Sequence, residues 1–210
     1  MLIDNSLKGY IFEASTGNPT PGGGSVAALA GSLGSALTQM VGNLTFDKDS
    51  FNLLDDETKK QLQENFKVLK DKMDILSIII DEDSKAFDGV MLAFQMPKNT
   101  ENEKKARIEA IQEGYKHALE VPLKCAKKCL EVLRLQLLFA NYGNKNAITD
   151  VGVGALLAYS GLEGALLNVR INLKDVDYKS KINNEMNTIF EEGNKIREEV
   201  LKIVYERLSK

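Results

Sequence analysis

The feature that most constrains the fold is a helical spacing of apolar residues that runs through almost the whole chain. Between residues 57 and 94, apolar side chains recur three and four positions apart, as on one face of a long amphipathic helix. The members of this stripe are Leu62, Phe66, Leu69, Met73, Leu76, Ile80, Phe87, Val90 and Phe94. No segment shows the alternation of β-branched residues between turn signals that marks a strand. The sequence therefore predicts an all-α protein.

The same spacing divides the chain into six helices joined by short connections. They are predicted over about residues 4–14, 23–46, 57–94, 101–138, 148–172 and 179–208. Pro122 removes a backbone donor within the fourth of them and is expected to bend or interrupt it. A loop at residues 174–177 is expected to precede the last helix. Long helices with short joints predict a helical bundle, and 210 residues without a compositional break predict one domain over residues 1–210.

Composition and charge argue against nucleic-acid-binding, membrane and secreted proteins. The net charge is only −3, and acidic residues are interspersed with the lysines, so no basic field favours nucleic acid. The longest uncharged stretch, residues 14–46, contains prolines and many polar residues, which disfavours a membrane span. The N-terminus lacks a signal-peptide pattern. We therefore expect a cytoplasmic protein, in which Cys125 and Cys129 share a helix face as reduced, buried side chains, with a disulfide or a metal site less favoured.

A glycine-rich segment at residues 19–40, PTPGGGSVAALAGSLGSALTQM, matches the dinucleotide-binding pattern at Gly22, Gly24 and Ala27. That motif requires a preceding strand in a βαβ unit, and none is predicted. A Walker loop is excluded because no Gly-Lys-Ser/Thr follows the glycines. Two interpretations remain open. The glycines bring backbone N–H groups to a ligand, with Ser25 as a helix cap, or allow close packing of a helix, and the two roles are compatible.

A second face of small residues lies between residues 148 and 172. It consists of Gly154, Ala158, Gly161, Ala165, Asn168 and Asn172. Glycine and alanine allow a neighbouring helix to approach closely. The two asparagines at the end of this face would either bind a polar heterocycle or bridge neighbouring helices. Asp150, near the start of the same helix, suits the helix dipole as well as a catalytic role.

Two ionisable residues stand out against the apolar pattern. Asp83 occupies the position that should continue the stripe between Ile80 and Phe87. A carboxylate there needs a partner, a raised pKa or a polar cavity, so Asp83 is a candidate general acid or base. The alternative is a carboxylate that only bonds a neighbouring helix. His117, the single histidine, falls beside the stripe and is expected to be half exposed and not catalytic.

Five blocks in register resemble the formiminotetrahydrofolate cyclodeaminase/methenyltetrahydrofolate cyclohydrolase family. They are PTPGGGSVAALAGSLGSAL, DEDSKAF, MPKNTENEKKARIEAIQEGYKHALEVPL, GNKNAITDVGVGA and NVRINLKDV, and they extend from residue 19 to about residue 176. The resemblance implies an all-helical homodimer that binds folate near the glycine loop and the subunit boundary, without a metal or a separate cofactor. It implies cyclisation of 5-formiminotetrahydrofolate to 5,10-methenyltetrahydrofolate with loss of ammonia, or hydrolysis of the methenyl bridge to 10-formyltetrahydrofolate.

Candidate roles follow for residues inside or beside these blocks. Asp83 and Asp150 are expected to transfer protons, and Lys98 to meet the anionic glutamate tail. The pterin and the one-carbon bridge are expected to contact Gly22, Gly23, Gly24, Ser25, Asn144, Asn168 and Asn172.

The resemblance also bears on partners. Because the chain lacks the formiminotransferase half of the bifunctional family members, a separate formiminotransferase is expected to supply the substrate, unless the chain is a cyclohydrolase. The sequence does not decide between the two reactions. A non-catalytic helical dimer is the competing interpretation, but dimerisation alone needs neither Asp83 nor the glycine loop.

Overall fold

The computed structural model describes residues 1–173 and 179–209, in which the chain forms seven α-helices and no strand. The helices are α1 (Leu7–Ala14), α2 (Gly23–Phe46), α3 (Asp49–Asn52), α4 (Asp56–Gln95), α5 (Glu101–Tyr142), α6 (Ile148–Asn172) and α7 (Lys179–Leu208). The predicted all-α class is confirmed, and each predicted helix is present. The four-residue α3 is additional, because it is too short to show an apolar period. The loop predicted at residues 174–177 lies outside the described residues.

Helix boundaries follow from local capping. The Asp55 side chain accepts a hydrogen bond from the Thr58 N–H and begins α4. Thr100 and Glu103 form a capping box that begins α5, in which each side chain bonds the backbone N–H of the other residue. Pro122 does not interrupt α5, which continues to Tyr142. The expected break is absent because the carbonyl that Pro122 leaves free finds another partner, as described below.

The bundle is organised around α2, which packs against α4, α5 and α6, while α7 packs against α5 and α6. Contact between α2 and α6 is made through their backbones. An added Cβ at Gly34 would lie 2.7 Å from the Gly154 carbonyl oxygen, and one at Gly161 would lie 2.7 Å from the Ala27 carbonyl oxygen. These pairs run in opposite directions along the two helices, so α2 and α6 are antiparallel. The predicted close packing of the two small-residue faces is confirmed.

This antiparallel packing gives the bundle two distinct ends. At one, which we call the loop end, the start of α2 meets the last turns of α6, and the added Cβ of Gly23 would lie 3.3 Å from Asn168 Nδ2. The α4–α5 hairpin also projects there, with the Phe94 and Tyr115 rings 6.2 Å apart. At the other, which we call the far end, the start of α6 meets the end of α2, where the Asn144 N–H donates to Thr45 Oγ1.

The core confirms the predicted state of the cysteines. Cys125 and Cys129 are buried and free, and Cys129 Sγ packs against the backbone of Gly31. His117 is exposed, as predicted. By length and composition, the segment Lys145–Asn172 is apolar enough to cross a membrane. However, 56% of its most apolar stretch is buried inside the protein, as in the core helix of a bundle.

Candidate functional site

A cavity of about 400 Å³ opens at the loop end, a volume within the range of roughly 300–1,000 Å³ common for small-molecule sites. It lies between the loop before α2, the middle of α4, the hairpin part of α5 and the last turns of α6. Its lining residues are Pro19, Thr20, Gly22, Gly23, Gly24, Asp83, Phe87, Tyr115, Ala118, Asn168, Ile171 and Asn172. The fold thus brings together six of the ten site residues proposed from the sequence.

Asp83 supplies the carboxyl group of this cavity. It extends from α4 to the first turn of α2, where its carboxylate accepts a hydrogen bond from the Ser25 N–H. Burial raises the pKa of the Asp83 carboxyl above its ordinary value of 3.8. The hydrogen bond from the Ser25 N–H offsets only part of this rise. A partly buried carboxyl of raised pKa that faces a cavity is suited to accept and return a proton.

The glycines at the start of α2 allow close approach and do not serve a left-handed backbone, since no described glycine has a positive φ. A Cβ added at Gly24 would collide with the Asp83 carboxylate. Gly22 is the N-cap of α2 and offers no side-chain cap, so the first N–H groups of the helix depend on other acceptors. Asp83 is one of these acceptors. The glycine loop is therefore built around the carboxylate.

Ser25 does not act as the predicted cap. It lies inside the first turn of α2, its side chain is fully buried, and its Oγ is 2.9 Å from Tyr10 Oη. Ser25 contributes its backbone N–H to Asp83 instead, and its side chain does not line the cavity.

Both asparagines of α6 reach the cavity, and each donates one amide N–H to a backbone carbonyl. Asn168 Nδ2 donates to the Gly164 carbonyl at 2.9 Å. Asn172 Nδ2 donates to the Ala118 carbonyl at 2.7 Å. In a regular helix that carbonyl would accept from residue 122, which is a proline here and has no N–H. The bridging role considered for these asparagines therefore holds for Asn172, alongside its place in the cavity.

The pairing of Asn172 with Pro122 makes a testable prediction. We expect Asn172→Ala to lower the free energy of unfolding by about 1–3 kcal/mol, because the partly buried Ala118 carbonyl loses its donor. In a Pro122→Ala background the new N–H of residue 122 can bond that carbonyl, so the cost of Asn172→Ala should shrink. Urea unfolding of the wild type, both single variants and the double variant measures this coupling. An equal cost in both backgrounds would contradict the assigned compensation.

Besides Ser25, three of the proposed site residues lie outside the cavity. Asp150 is in the first turn of α6 at the far end, about 27 Å along that helix from Asn168 at 1.5 Å per residue. Asn144 is also at the far end, where its side chain accepts from the Asn146 N–H and donates to the Leu44 carbonyl. Lys98 lies exposed in the connection between α4 and α5. Within one chain, Asp150 is therefore not brought to the cavity of Asp83, and its role in proton transfer stays a prediction.

The apolar wall of the cavity was not recognised from the sequence as part of a site. Phe87, Tyr115 and Ile171 line it, yet the periodicity placed Phe87 in the apolar stripe of a helix. Phe87 is 39% exposed, although it continues the apolar stripe. The sequence does contain a sign that Phe87 belongs to the site. Phe87 lies four residues after Asp83 and therefore on the same helix face as the one acid in that stripe.

The charges of the cavity favour a cationic or neutral ligand group near Asp83. Asp83 is the one carboxylate among the described lining residues, and none of those residues is a lysine, arginine or histidine. Elsewhere in the described part of the chain, no cluster of three or more His, Cys, Asp or Glu side chains is arranged to hold a metal ion.

Similarity to known proteins covers most of the chain. Residues 6–188 match the sequence model of the formiminotransferase-cyclodeaminase family. The chain is 40% identical over 177 residues to a methenyltetrahydrofolate cyclohydrolase of Methylorubrum extorquens, an alignment that covers 84% of this chain and 83% of that protein. It is 36% identical over 195 residues to the formimidoyltransferase-cyclodeaminase of Mus musculus, which covers 91% of this chain but only 35% of that longer protein.

A solved structure has the same fold. The crystal structure of a formiminotetrahydrofolate cyclodeaminase from Thermotoga maritima matches with a TM-score of 0.78 and 25% sequence identity, over 100% of this chain and 98% of that one. The architecture predicted from the helical periodicity and the family predicted from the five sequence blocks are both confirmed. The chain belongs to the formiminotransferase-cyclodeaminase family.

Proposed function

We propose that this protein is a folate one-carbon enzyme that converts 5-formiminotetrahydrofolate to 5,10-methenyltetrahydrofolate and ammonia. The observation that carries the proposal is Asp83, a lone carboxylate of raised pKa in a cavity whose described lining has no cationic side chain. A protonated formimino group and the methenyl bridge are both cations, which a nearby carboxylate stabilises. The relatives described above are named as cyclodeaminases and a cyclohydrolase, which supports this class of enzyme.

One carboxylate is sufficient for the proton transfers of this reaction. N10 attacks the carbon of the protonated formimino group, and a tetrahedral carbon forms between N5 and N10. Asp83 takes the proton that N10 releases and returns it to the amino group on that carbon. Ammonia then leaves, and the bridge becomes the methenyl cation. A correctly placed acid/base group contributes about 10²–10⁴-fold to such a step, and the geometry of ring closure contributes further.

Hydrolysis of the methenyl bridge is the second candidate reaction, and the 40% identity to a cyclohydrolase along most of its length favours it. Water attacks the methenyl carbon while Asp83 takes one of its protons. Asp83 then protonates N5, the carbon–N5 bond breaks, and the hydroxyl proton passes to solvent, leaving 10-formyltetrahydrofolate. Both reactions pass through a tetrahedral carbon between N5 and N10, so one site suits either.

An assay of both substrates distinguishes the two reactions. With 5-formiminotetrahydrofolate, a cyclodeaminase produces the absorbing methenyl product and one equivalent of ammonia. With 5,10-methenyltetrahydrofolate, a cyclohydrolase removes that absorbance faster than buffer alone does. We expect turnover of the formimino substrate. Turnover of the methenyl substrate alone would support the second candidate, and turnover of neither would contradict the proposed enzyme class.

The apolar wall and the amides suggest how a pterin is held. Phe87, Tyr115 and Ile171 offer apolar surface for the ring system, and Asn168 and Asn172 lie at the edge of the same cavity. Aromatic contact of this kind contributes about 0.5–1.5 kcal/mol beyond area burial. The substrate is the one small molecule that the proposed reaction requires.

Tyr115 therefore provides a binding prediction. We expect Tyr115→Ala to raise KM roughly three- to tenfold with a smaller change in kcat, because the ring contacts substrate and not the transferred proton. Steady-state kinetics measure both constants. Tyr205→Ala is the control, since Tyr205 is 67% exposed on α7 and distant from the cavity lining. An unchanged KM in Tyr115→Ala would remove this ring from the proposed binding site.

A homodimer is part of the proposal, because α2 and α6 each present an apolar face to solvent. The exposed members of the two faces are Val26, Leu33, Met40 and Leu44 on α2, and Val153, Leu156, Leu167 and Ile171 on α6. Contiguous apolar surface of this kind marks an interface. Ile171 also lines the cavity, so a partner on this face would lie next to the site. Sedimentation velocity is the test, and a monomer at micromolar concentration would contradict it.

The source of the formimino group is a further partner in the proposal. The Mus musculus relative combines, in its name, a formimidoyltransferase with a cyclodeaminase, and this chain matches 35% of its length. We therefore propose that a formimidoyltransferase supplies the substrate of this site.

A further inference from the structure

Tyr10 is a buried residue that the proposed mechanism does not use. It is the one buried residue of α1, with 6% of its side chain exposed. Its Oη lies 2.9 Å from Ser25 Oγ, and Ser25 is fully buried. Ser25 is also the residue whose backbone N–H donates to the Asp83 carboxylate. A buried hydrogen-bonded path thus leads from α1 through the first turn of α2 to Asp83.

Within the described residues, the hydroxyl groups of Tyr10 and Ser25 form hydrogen bonds only with each other. Burial raises the pKa of Tyr10, and the carboxylates of Asp83 and Asp81 raise it further, so the phenol stays neutral and able to bond the serine hydroxyl. The first turn of α2 consists of glycine before Ser25 and has no side-chain cap. Among the described residues, the Tyr10 hydroxyl is therefore the hydrogen-bond partner that orients the Ser25 side chain in this turn.

We propose that Tyr10 is a positioning residue, which holds Ser25 Oγ and thereby keeps the Ser25 N–H against the Asp83 carboxylate. The inference rests on the proposed function of Asp83 and adds to it the element that orients this group. If the Ser25 N–H moves away, the ionised form of Asp83 loses a hydrogen bond in a partly buried site. Asp83 then ionises less readily.

Few ionisable groups lie near Asp83, so a change in its titration can be assigned to Asp83 itself. Asp81 lies on α4 but is turned to the N-terminal segment, where it accepts from the Leu2 N–H at 2.6 Å. Tyr10 approaches from α1, and Tyr115 of α5 lines the same cavity. Neither α2 nor α6 contributes a charged side chain to the described lining.

Tyr10→Phe and Ser25→Ala test the proposal, because each removes one hydroxyl and keeps the backbone N–H of Ser25. We expect each variant to lower kcat roughly two- to tenfold, more than it changes KM. The acid limb of kcat/KM should move to higher pH in both. The double variant should be no worse than either single variant, since both remove the same hydrogen bond. Tyr205→Phe is the matched control and should leave all of these quantities unchanged.

A titration of Asp83 by carboxyl ¹³C NMR gives a readout that does not depend on turnover, with the resonance assigned through Asp83→Asn. The midpoint of this titration should rise in Tyr10→Phe and in Ser25→Ala. If Asp83→Asn abolishes turnover while Tyr10→Phe keeps the wild-type kcat, acid limb and titration, the positioning role is wrong and the proposed function stands. If Asp83→Asn keeps its turnover, the proposed function fails. An unshifted midpoint in both hydroxyl variants overturns the positioning role in either case.

Discussion

Asp83→Asn is expected to lower kcat by about 10²–10⁴-fold, the contribution of a positioned acid/base group. Asparagine keeps an oxygen that accepts the Ser25 N–H, so the first turn of α2 should stay in place while the proton acceptor is lost. Steady-state assay of the methenyl product measures the effect. Near-normal turnover would show that the proton is transferred by another group.

The role of Asp83 also predicts how kcat/KM of the wild type depends on pH. Because Asp83 must be ionised to take a proton, kcat/KM should fall as pH decreases through the pKa of Asp83. Burial raises that pKa, so the midpoint of the fall should lie above 3.8, the ordinary value of an aspartate. Asp83→Asn should lose this limb and keep only its residual rate.

Stability should respond in the opposite direction to activity. The pKa of Asp83 is raised in the folded state, so its contribution to stability is present below the ordinary value of 3.8 and is lost as pH rises through the raised value. At neutral pH, Asp83→Asn should therefore unfold at the same temperature as the wild type or higher. Loss of activity with a lowered melting temperature would point to a structural role instead.

Asp81→Asn is the matched control for Asp83→Asn. Asp81 is a buried carboxylate two residues earlier on α4, and it accepts from the N–H groups of Leu2 and Ile3 outside the lining of the cavity. It should keep wild-type turnover. A comparable loss in both variants would show that any change of charge in this part of α4 disturbs the site.

Gly161→Ala is expected to lower the free energy of unfolding by about 1–3 kcal/mol, the usual cost of overpacking a core. The new Cβ would lie 2.7 Å from the Ala27 carbonyl oxygen and 2.9 Å from the Gly31 N. Both are backbone atoms, so relief requires α2 and α6 to separate. Since these helices carry the glycine loop and Asn168, separation should also weaken substrate binding. Urea unfolding and KM measure the two effects.

Gly89→Ala is the control for this steric argument. Gly89 is exposed within α4, and a Cβ added there meets no atom within 4 Å. Alanine should raise the stability by about 0.5–1 kcal/mol through helix propensity alone. If Gly161→Ala were also stabilising, the account of backbone contact between α2 and α6 would be wrong.

The fold could be predicted from the sequence because its determinants are periodic. Each long helix carries its own apolar stripe, and the small-residue faces of α2 and α6 are visible as glycines and alanines four residues apart. Asp83 was found for the same reason, as the acid that breaks a stripe. Ile108 shows the limit of this reasoning. Its spacing to Ile111 and Tyr115 in α5 is that of an apolar helix face, but Ile108 is 54% exposed in the projecting hairpin.

Which residues share the site could not be predicted from local sequence patterns, because it depends on how the helices pack together. Asp150 and Asn168 lie on one helix and in neighbouring sequence blocks, yet the 25-residue length of that helix places them at opposite ends of the bundle. The role of Asn172 requires a proline fifty positions away in another helix. Tyr10 was not identified because its partner, Ser25, is recognised only once α1 and α2 are packed together.

Substrate is proposed to bind in the cavity at the loop end, next to Asp83. A crystal structure with 5-formyltetrahydrofolate tests this location most directly. This compound carries oxygen in place of the formimino nitrogen and so cannot release ammonia. We expect density in the cavity at the loop end, with the formyl group and N10 within hydrogen-bond distance of the Asp83 carboxylate and the pterin against Tyr115. Density at the far end beside Asp150 and Asn144, with this cavity empty, would contradict it.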